Sequence, residues 1–134
     1  MIIVDTNVIA YIIVPGETTD IAEAVRDKDP FWAAPWLWRS EMRNLLTLYL
    51  RRRILSLVEV QDHMASAEEL LLGREYSVSS DKVLKLAADS GCTAYDCEFV
   101  CLAEELGTHL VTSDKKVLAA FPDQAISMAA FLEH

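Results

Sequence analysis

Short apolar runs alternating with longer helical stretches constrain this chain more than any other feature. Ile2-Ile3-Val4 is cut off at Asp5-Thr6-Asn7, the pattern of a buried parallel strand. Glu17 to Lys28 places Ile21, Ala24 and Val25 on one face and predicts a helix. Phe31 to Ala34, bracketed by Pro30 and Pro35, predicts a second strand. From Trp36 to about Arg53 a helical stripe runs through Leu37, Leu45 and Leu48. A further helix spans Leu57 to Leu72 and stops at Gly73. The second half repeats the alternation. Asp81 to Asp89 is helical and ends at Ser90-Gly91, and Thr93 opens a helix that runs to Leu106. His109 to Thr112 is a strand, Lys115 to Phe121 a short helix, and Ala125 to Ser127 a last strand. Strand and helix in turn predict an α/β sandwich, its mostly parallel sheet built from about four or five short strands flanked by helices.

The 134 residues suit one domain with a continuous core, and no repeat or linker divides them. No apolar stretch approaches the roughly 18 residues of a membrane span. The start reaches Asp5 without a basic region, unlike a signal peptide, so a soluble cytoplasmic protein is expected. Cys92, Cys97 and Cys101 are odd in number and have no paired histidines at ligand spacing, which favours buried thiols over a disulfide or zinc site. Leu132-Glu133-His134 matches the start of an expression tag and carries no functional weight. The 21 acids against 12 bases leave a net charge of −9, which works against binding a phosphate backbone. Either the partner is not a nucleic acid, or some acids are gathered in a metal site.

Four acids occupy informative positions. Asp5 and Asp114 each follow a strand, and acids at the carboxyl ends of parallel strands emerge on one edge of a sheet. In isolation a turn or helix N-cap is the better reading of Asp5, and Asp114 could likewise cap the helix beginning at Lys115. Glu41 shares the stripe of Leu37, Leu45 and Leu48, where a carboxylate is costly unless paired or bound to a cation. A small rotation of the helix, or a salt bridge to Arg39 or Arg43, accounts for it too. Asp96 follows Thr93 at the spacing of a capping box, at a helix N-terminus that also favours anions. Together the four present another problem, because two carboxylates about 4 Å apart repel by roughly 4 kcal/mol at an effective dielectric near 20. An all-oxygen ligand set suits Mg2+ or Mn2+ rather than zinc, and such ions serve phosphodiester hydrolysis.

In order along the chain, Val4-Asp5-Thr6-Asn7-Val8, Glu41-Met42-Arg43-Asn44, Tyr95-Asp96-Cys97 leading into Val100-Cys101-Leu102-Ala103, and Leu110-Val111-Thr112-Ser113-Asp114 resemble PIN-domain nucleases. The resemblance covers essentially the whole chain, and its length and compactness are most similar to VapC-type toxins. It implies a PIN-like three-layer sandwich and an endoribonuclease dependent on one or two Mg2+ or Mn2+ ions. Asp5, Glu41, Asp96 and Asp114 would be both its catalytic acids and its metal ligands. It further implies supporting or substrate-binding roles for Thr6, Asn7, Asn44, Thr112, Ser113 and Lys115. The implied partners are an RNA substrate, an antitoxin protein and a second copy of the chain in a homodimer. The Leu-rich helices 36–53 and 57–72 are the expected groove for the antitoxin or the dimer.

Other residues leave alternatives open. Arg51-Arg52-Arg53 suits a solvated helix end or an RNA contact, and Lys115 and Lys116 are placed to meet a phosphate or solvent. Arg39 and Arg43 either hold substrate or neutralise Glu41. Trp32, Trp36 and Trp38 stack on bases or fill a core. A phosphatase with a nucleophilic aspartate is a rival reading, weakened by Asn7 where such sites place a second Asp. A non-enzymatic module that keeps the fold for binding is another.

Overall fold

Ile2–Val4 (β1) pairs in parallel with Trp32–Pro35 (β2) on one side and Leu110–Val111 (β4) on the other. Glu75–Tyr76 (β3) extends the sheet beyond β2, and Ala125–Ile126 (β5) extends it beyond β4, again in parallel. The order is therefore β3-β2-β1-β4-β5 in this computed structural model, which describes residues 1–134. Every residue of β1 and β2 is buried, so both faces of the sheet are covered. The chain builds outward from β1 to β3, then returns to lay β4 on the opposite side of β1. That reversal opens a crevice at the carboxyl ends of β1 and β4, where open α/β sheets bind ligands.

Eight helices cover the sheet. Thr6–Ile13 (α1), Thr19–Lys28 (α2), Leu37–Arg51 (α3) and Leu57–Leu71 (α4) pack among themselves, and Met128–Glu133 (α8) joins α2. Ser80–Ser90 (α5) pairs with Ala94–Glu105 (α6), and α6 lies against β1, β2 and β4. Lys115–Ala120 (α7) precedes β5. The expected strands and helices appear within a few residues of their predicted bounds. Three elements, α1, β3 and α8, have no counterpart in the sequence reading. In α1, TNVIAYII is apolar almost all round and shows no polar face to set a period. β3 has only two residues, too few to alternate. α8 carries Leu132 and Glu133, so residues set aside as tag-like belong to a helix whose Met128 and Phe131 are core.

The stripe of α3 needs a correction. Its buried residues are Trp38, Met42 and Leu46, one position round from the predicted Leu37, Leu45 and Leu48, and Leu48 is exposed. Glu41 lies at the margin of the buried face, half-buried rather than aimed into the core. All three cysteines are free and buried, as expected.

Candidate active site

Asp5 occupies the first position beyond β1 and caps α1. Its Oδ1 accepts from the backbone N–H of Thr6 at 2.8 Å, which satisfies one of the helix's free donors. Its Oδ2 accepts from the Thr112 hydroxyl at 2.7 Å, across the β1–β4 boundary. The same Thr112 oxygen accepts from the backbone N–H of Asp114 at 3.0 Å. One fully buried threonine therefore ties the two strand-end acids together. Asp114 caps α7, its Oδ1 accepting from the N–H groups of Lys116 and Val117 at 2.9 and 3.1 Å. The capping reading and the site reading hold together: each acid commits one oxygen to a helix end and keeps a second for other work.

Thr6 makes the corresponding link on the other side. Its hydroxyl donates to Glu41 Oε1 at 2.8 Å, joining the start of α1 to α3. Asp96 is in the first turn of α6, where Thr93 Oγ1 accepts from its N–H at 3.1 Å. That is half of a capping box; the Asp96 carboxylate does not return the bond. Ser56 and Glu59 at the start of α4 form the complete box, which shows what Asp96 forgoes.

The four acids share an electrostatic neighbourhood without a counter-cation. Burial is the largest influence on the Asp5 carboxyl and raises its pKa above 3.8. The Thr112 and Thr6 hydrogen bonds oppose that rise, and the charges of Asp96 and Asp114 add to it. Glu41 is also raised above 4.5, first by burial and then by the charges of Asp5, Asp96 and Glu98, against the Thr6 hydrogen bond. None of the four makes an ion pair. In their present rotamers no three carboxylates converge as a ready ligand cage. The donor set nonetheless suits a hard divalent cation: it is all carboxylate, repulsive by itself and engaged in no ion pair with a lysine or arginine.

The supporting residues divide. Thr6 and Thr112 contact the acids directly. Asn44 lines a shallow hollow of about 320 Å³ with Glu41, Leu37, Ser40 and Tyr95. Ser113 points elsewhere, its hydroxyl 3.0 Å from Tyr11 Oη. Asn7 hydrogen-bonds to none of the four acids, and its buried Oδ1 has no hydrogen-bond partner. Lys115 is exposed at the first position of α7, beside Asp114. Arg39 does not neutralise Glu41. It binds Glu75 through Nε and Nη2 at 2.6 and 2.8 Å and Glu68 through Nη1 at 2.6 Å. Trp32 and Trp38 are core, whereas Trp36 is 50% exposed.

Glu98 is a fifth acid that the motifs do not mark. It is half-buried, has no hydrogen bond or ion pair, and burial raises its pKa. Its one sequence signal is a charge set between Cys97 and the buried run Phe99 to Ala103.

Comparison with known proteins places these features in context. A family model described as PIN domain matches residues 2–123. A Pyrobaculum aerophilum protein named Ribonuclease VapC3 is 29% identical over 124 residues, covering 90% of this chain and 95% of its own length. Among solved structures, PAE2754 from Pyrobaculum aerophilum superposes with a TM-score of 0.78 at 22% identity, over 98% of this chain and 85% of the other. A toxin-antitoxin complex from Klebsiella pneumoniae superposes at 0.71 with 13% identity, over 96% of this chain and 98% of the other. At those identities the solved structures speak for the fold.

Proposed function

This chain belongs to the PIN-domain family, and on that premise we propose that it is a Mg2+- or Mn2+-dependent endoribonuclease acting as the toxin of a toxin–antitoxin pair. One observation carries the reading. Thr6, through its N–H and hydroxyl, and Thr112, through its hydroxyl, bind Asp5, Glu41 and the Asp114 turn into one network at the topological switch point, and no ion pair of the protein balances it. The ribonuclease name of a relative at 29% identity supports the choice of RNA.

Asp5, Glu41, Asp96 and Asp114 would hold the ion. A divalent cation bound there supplies the positive charge that polarises a phosphodiester and activates water. The chain's own residues do the positioning. Thr112 holds Asp5 Oδ2 and the Asp114 backbone at a fixed separation, and Thr6 holds Glu41 against the start of α1. The helix N-terminus above Asp96 adds a favourable dipole for an anionic substrate. Lys115, exposed next to Asp114, provides a charge for the RNA backbone in an otherwise acidic protein.

The antitoxin proposal rests on surface chemistry as well as on the Klebsiella complex. Leu48, Ile54, Leu57 and Val58 are exposed around the α3–α4 connection, beside a hollow lined by Leu46, Leu50, Val60 and Met64. An apolar segment laid there, with an arginine reaching the acidic crevice, would block the site. A second copy of the chain competes for the same surface.

Incubating the purified chain with single-stranded RNA, with and without Mg2+, Mn2+ or a chelator, tests the activity. Cleavage should require the ion and fall by roughly 100-fold or more in Asp96→Asn with the fold intact. Ion-independent cleavage, or a fully active variant, would overturn the assignment. Expression with and without the adjacent upstream gene tests the toxin role; a harmless chain that binds no product of that gene belongs to RNA processing instead.

A further inference from the structure

Beside the acidic crevice lies a second, unexplained cavity of about 450 Å³, within the range of ordinary ligand sites, roughly 300–1,000 Å³. It is lined by Trp36 at the start of α3, Tyr76 of β3, Ser77, Ser80, Glu98 of α6 and apolar side chains. It adjoins the site through Glu98, two residues along α6 from Asp96. Trp36 is exposed there, yet its ring is held by the Arg39 guanidinium 5.2 Å from its centroid. Arg39 is in turn fixed by Glu75 and Glu68. The aromatic wall is therefore anchored rather than loose.

We propose that this cavity receives one unstacked guanine of the RNA substrate, stacked on Trp36 and read by the Glu98 carboxylate. The inference rests on the ribonuclease reading above and deepens it. Glu98 is half-buried and lacks any protein partner, while Glu75 nearby is fully bonded. A carboxylate repels phosphates, so on an RNA-binding face its useful contacts are the donors on base edges. It has two acceptor oxygens and no donor. Guanine is the base with two adjacent donors on its Watson–Crick edge, N1–H and the N2 amino group. Adenine and cytosine offer an amino donor beside a ring acceptor, and uracil offers a donor between two acceptors. RNA recognition by stacking a splayed base on an aromatic ring and bonding its edge is general physics for single strands.

Cleavage of a random-sequence single-stranded RNA pool, followed by sequencing of the cut ends, tests the cavity in the ribonuclease setting. Guanine should be enriched at one fixed offset from the cut bond. Glu98→Gln, whose amide pairs an acceptor with a donor, should reduce that enrichment by about tenfold or more and shift it toward adenine. Cuts without a guanine preference, or a preference unmoved by Glu98→Gln, overturn the pocket and leave the nuclease standing. An arm independent of activity uses quenching of tryptophan fluorescence, because Trp32 and Trp38 are fully buried and Trp36 is the one tryptophan open to a stacking base. GMP should quench it more strongly than UMP in the intact chain, and no more strongly in Glu98→Gln. If no RNA is cut, selective quenching still upholds the base pocket while the nuclease reading fails. Equal or absent quenching overturns it.

Discussion

Two clusters of carboxylates sit at the ends of neighbouring strands, and the protein treats them in opposite ways. Beside the end of β2, at the start of β3, the Glu75 side chain is only 3% exposed and accepts two hydrogen bonds from Arg39 and a third from Trp38 at 2.8 Å. The Arg39 hydrogen bonds hold its pKa below 4.5 despite burial. At the end of β1 and β4, Asp5 and Glu41 receive only hydroxyl and amide donors, and burial raises them both. The first cluster is a finished structural pair. The second has no ion pair of its own, which is why we propose that a cation from outside the chain completes it.

Removing Arg39 should break the contrast most severely. Arg39→Met leaves Glu75 buried with its Trp38 bond alone and frees the support beneath Trp36. A loss of about 3 kcal/mol is expected, since breaking a buried pair strands the remaining charge. Urea unfolding should show the drop in midpoint. A change under roughly 0.5 kcal/mol, the level of ordinary surface substitutions, would mean the two clusters are not different in kind.

A divalent ion should act on the second cluster alone. Titrating Mn2+ into the wild type should raise Tm by linkage, worth roughly 2.7 kcal/mol at a hundredfold excess over Kd. Asp5→Asn should respond far less, and Glu75→Gln as much as the wild type once its lower starting Tm is allowed for. Equal responses in Asp5→Asn and the wild type would place the ion elsewhere.

The smallest effect lies in the pH dependence without metal. Asp5 has a folded pKa above its unfolded value near 3.8, so between the two values the native chain binds more protons than the unfolded one. Stability from this group therefore falls as pH rises through that window and stays lower above it. Asp5→Asn removes the effect while its side-chain carbonyl still caps α1. The variant's Tm relative to wild type should be least favourable below about pH 4 and improve as pH rises toward 7. A relative Tm that worsened over that range would show Asp5 to be a stabilised carboxylate, like Glu75.

Much of this architecture can be read from local pattern. β1 and β4 are apolar runs ended by polar residues, and β2 is an apolar run marked off by prolines. α5 closes where Gly91 takes φ of 73°, a left-handed conformation that only glycine adopts without strain. The four acids stand out because each interrupts such a pattern or follows it directly. They were legible because a strand end, a helix start and a helix face are points where local rules predict what should stand there.

Pairing was decided by the tertiary structure. Nothing local tells Arg39 to choose Glu75 and Glu68 over Glu41 two residues away, since the choice depends on β3, a two-residue strand made only by docking against β2. Thr112 bridges Asp5 and Asp114 because β4 returns beside β1, a contact between residues 107 apart in sequence. Glu98 acquired meaning only when α6 set it against Trp36 and Tyr76. Sequence determines which groups can ionise, cap or pack, because those properties belong to residues and their near neighbours. The balance of charge at a site belongs to the space between elements, and folding alone brings those elements together.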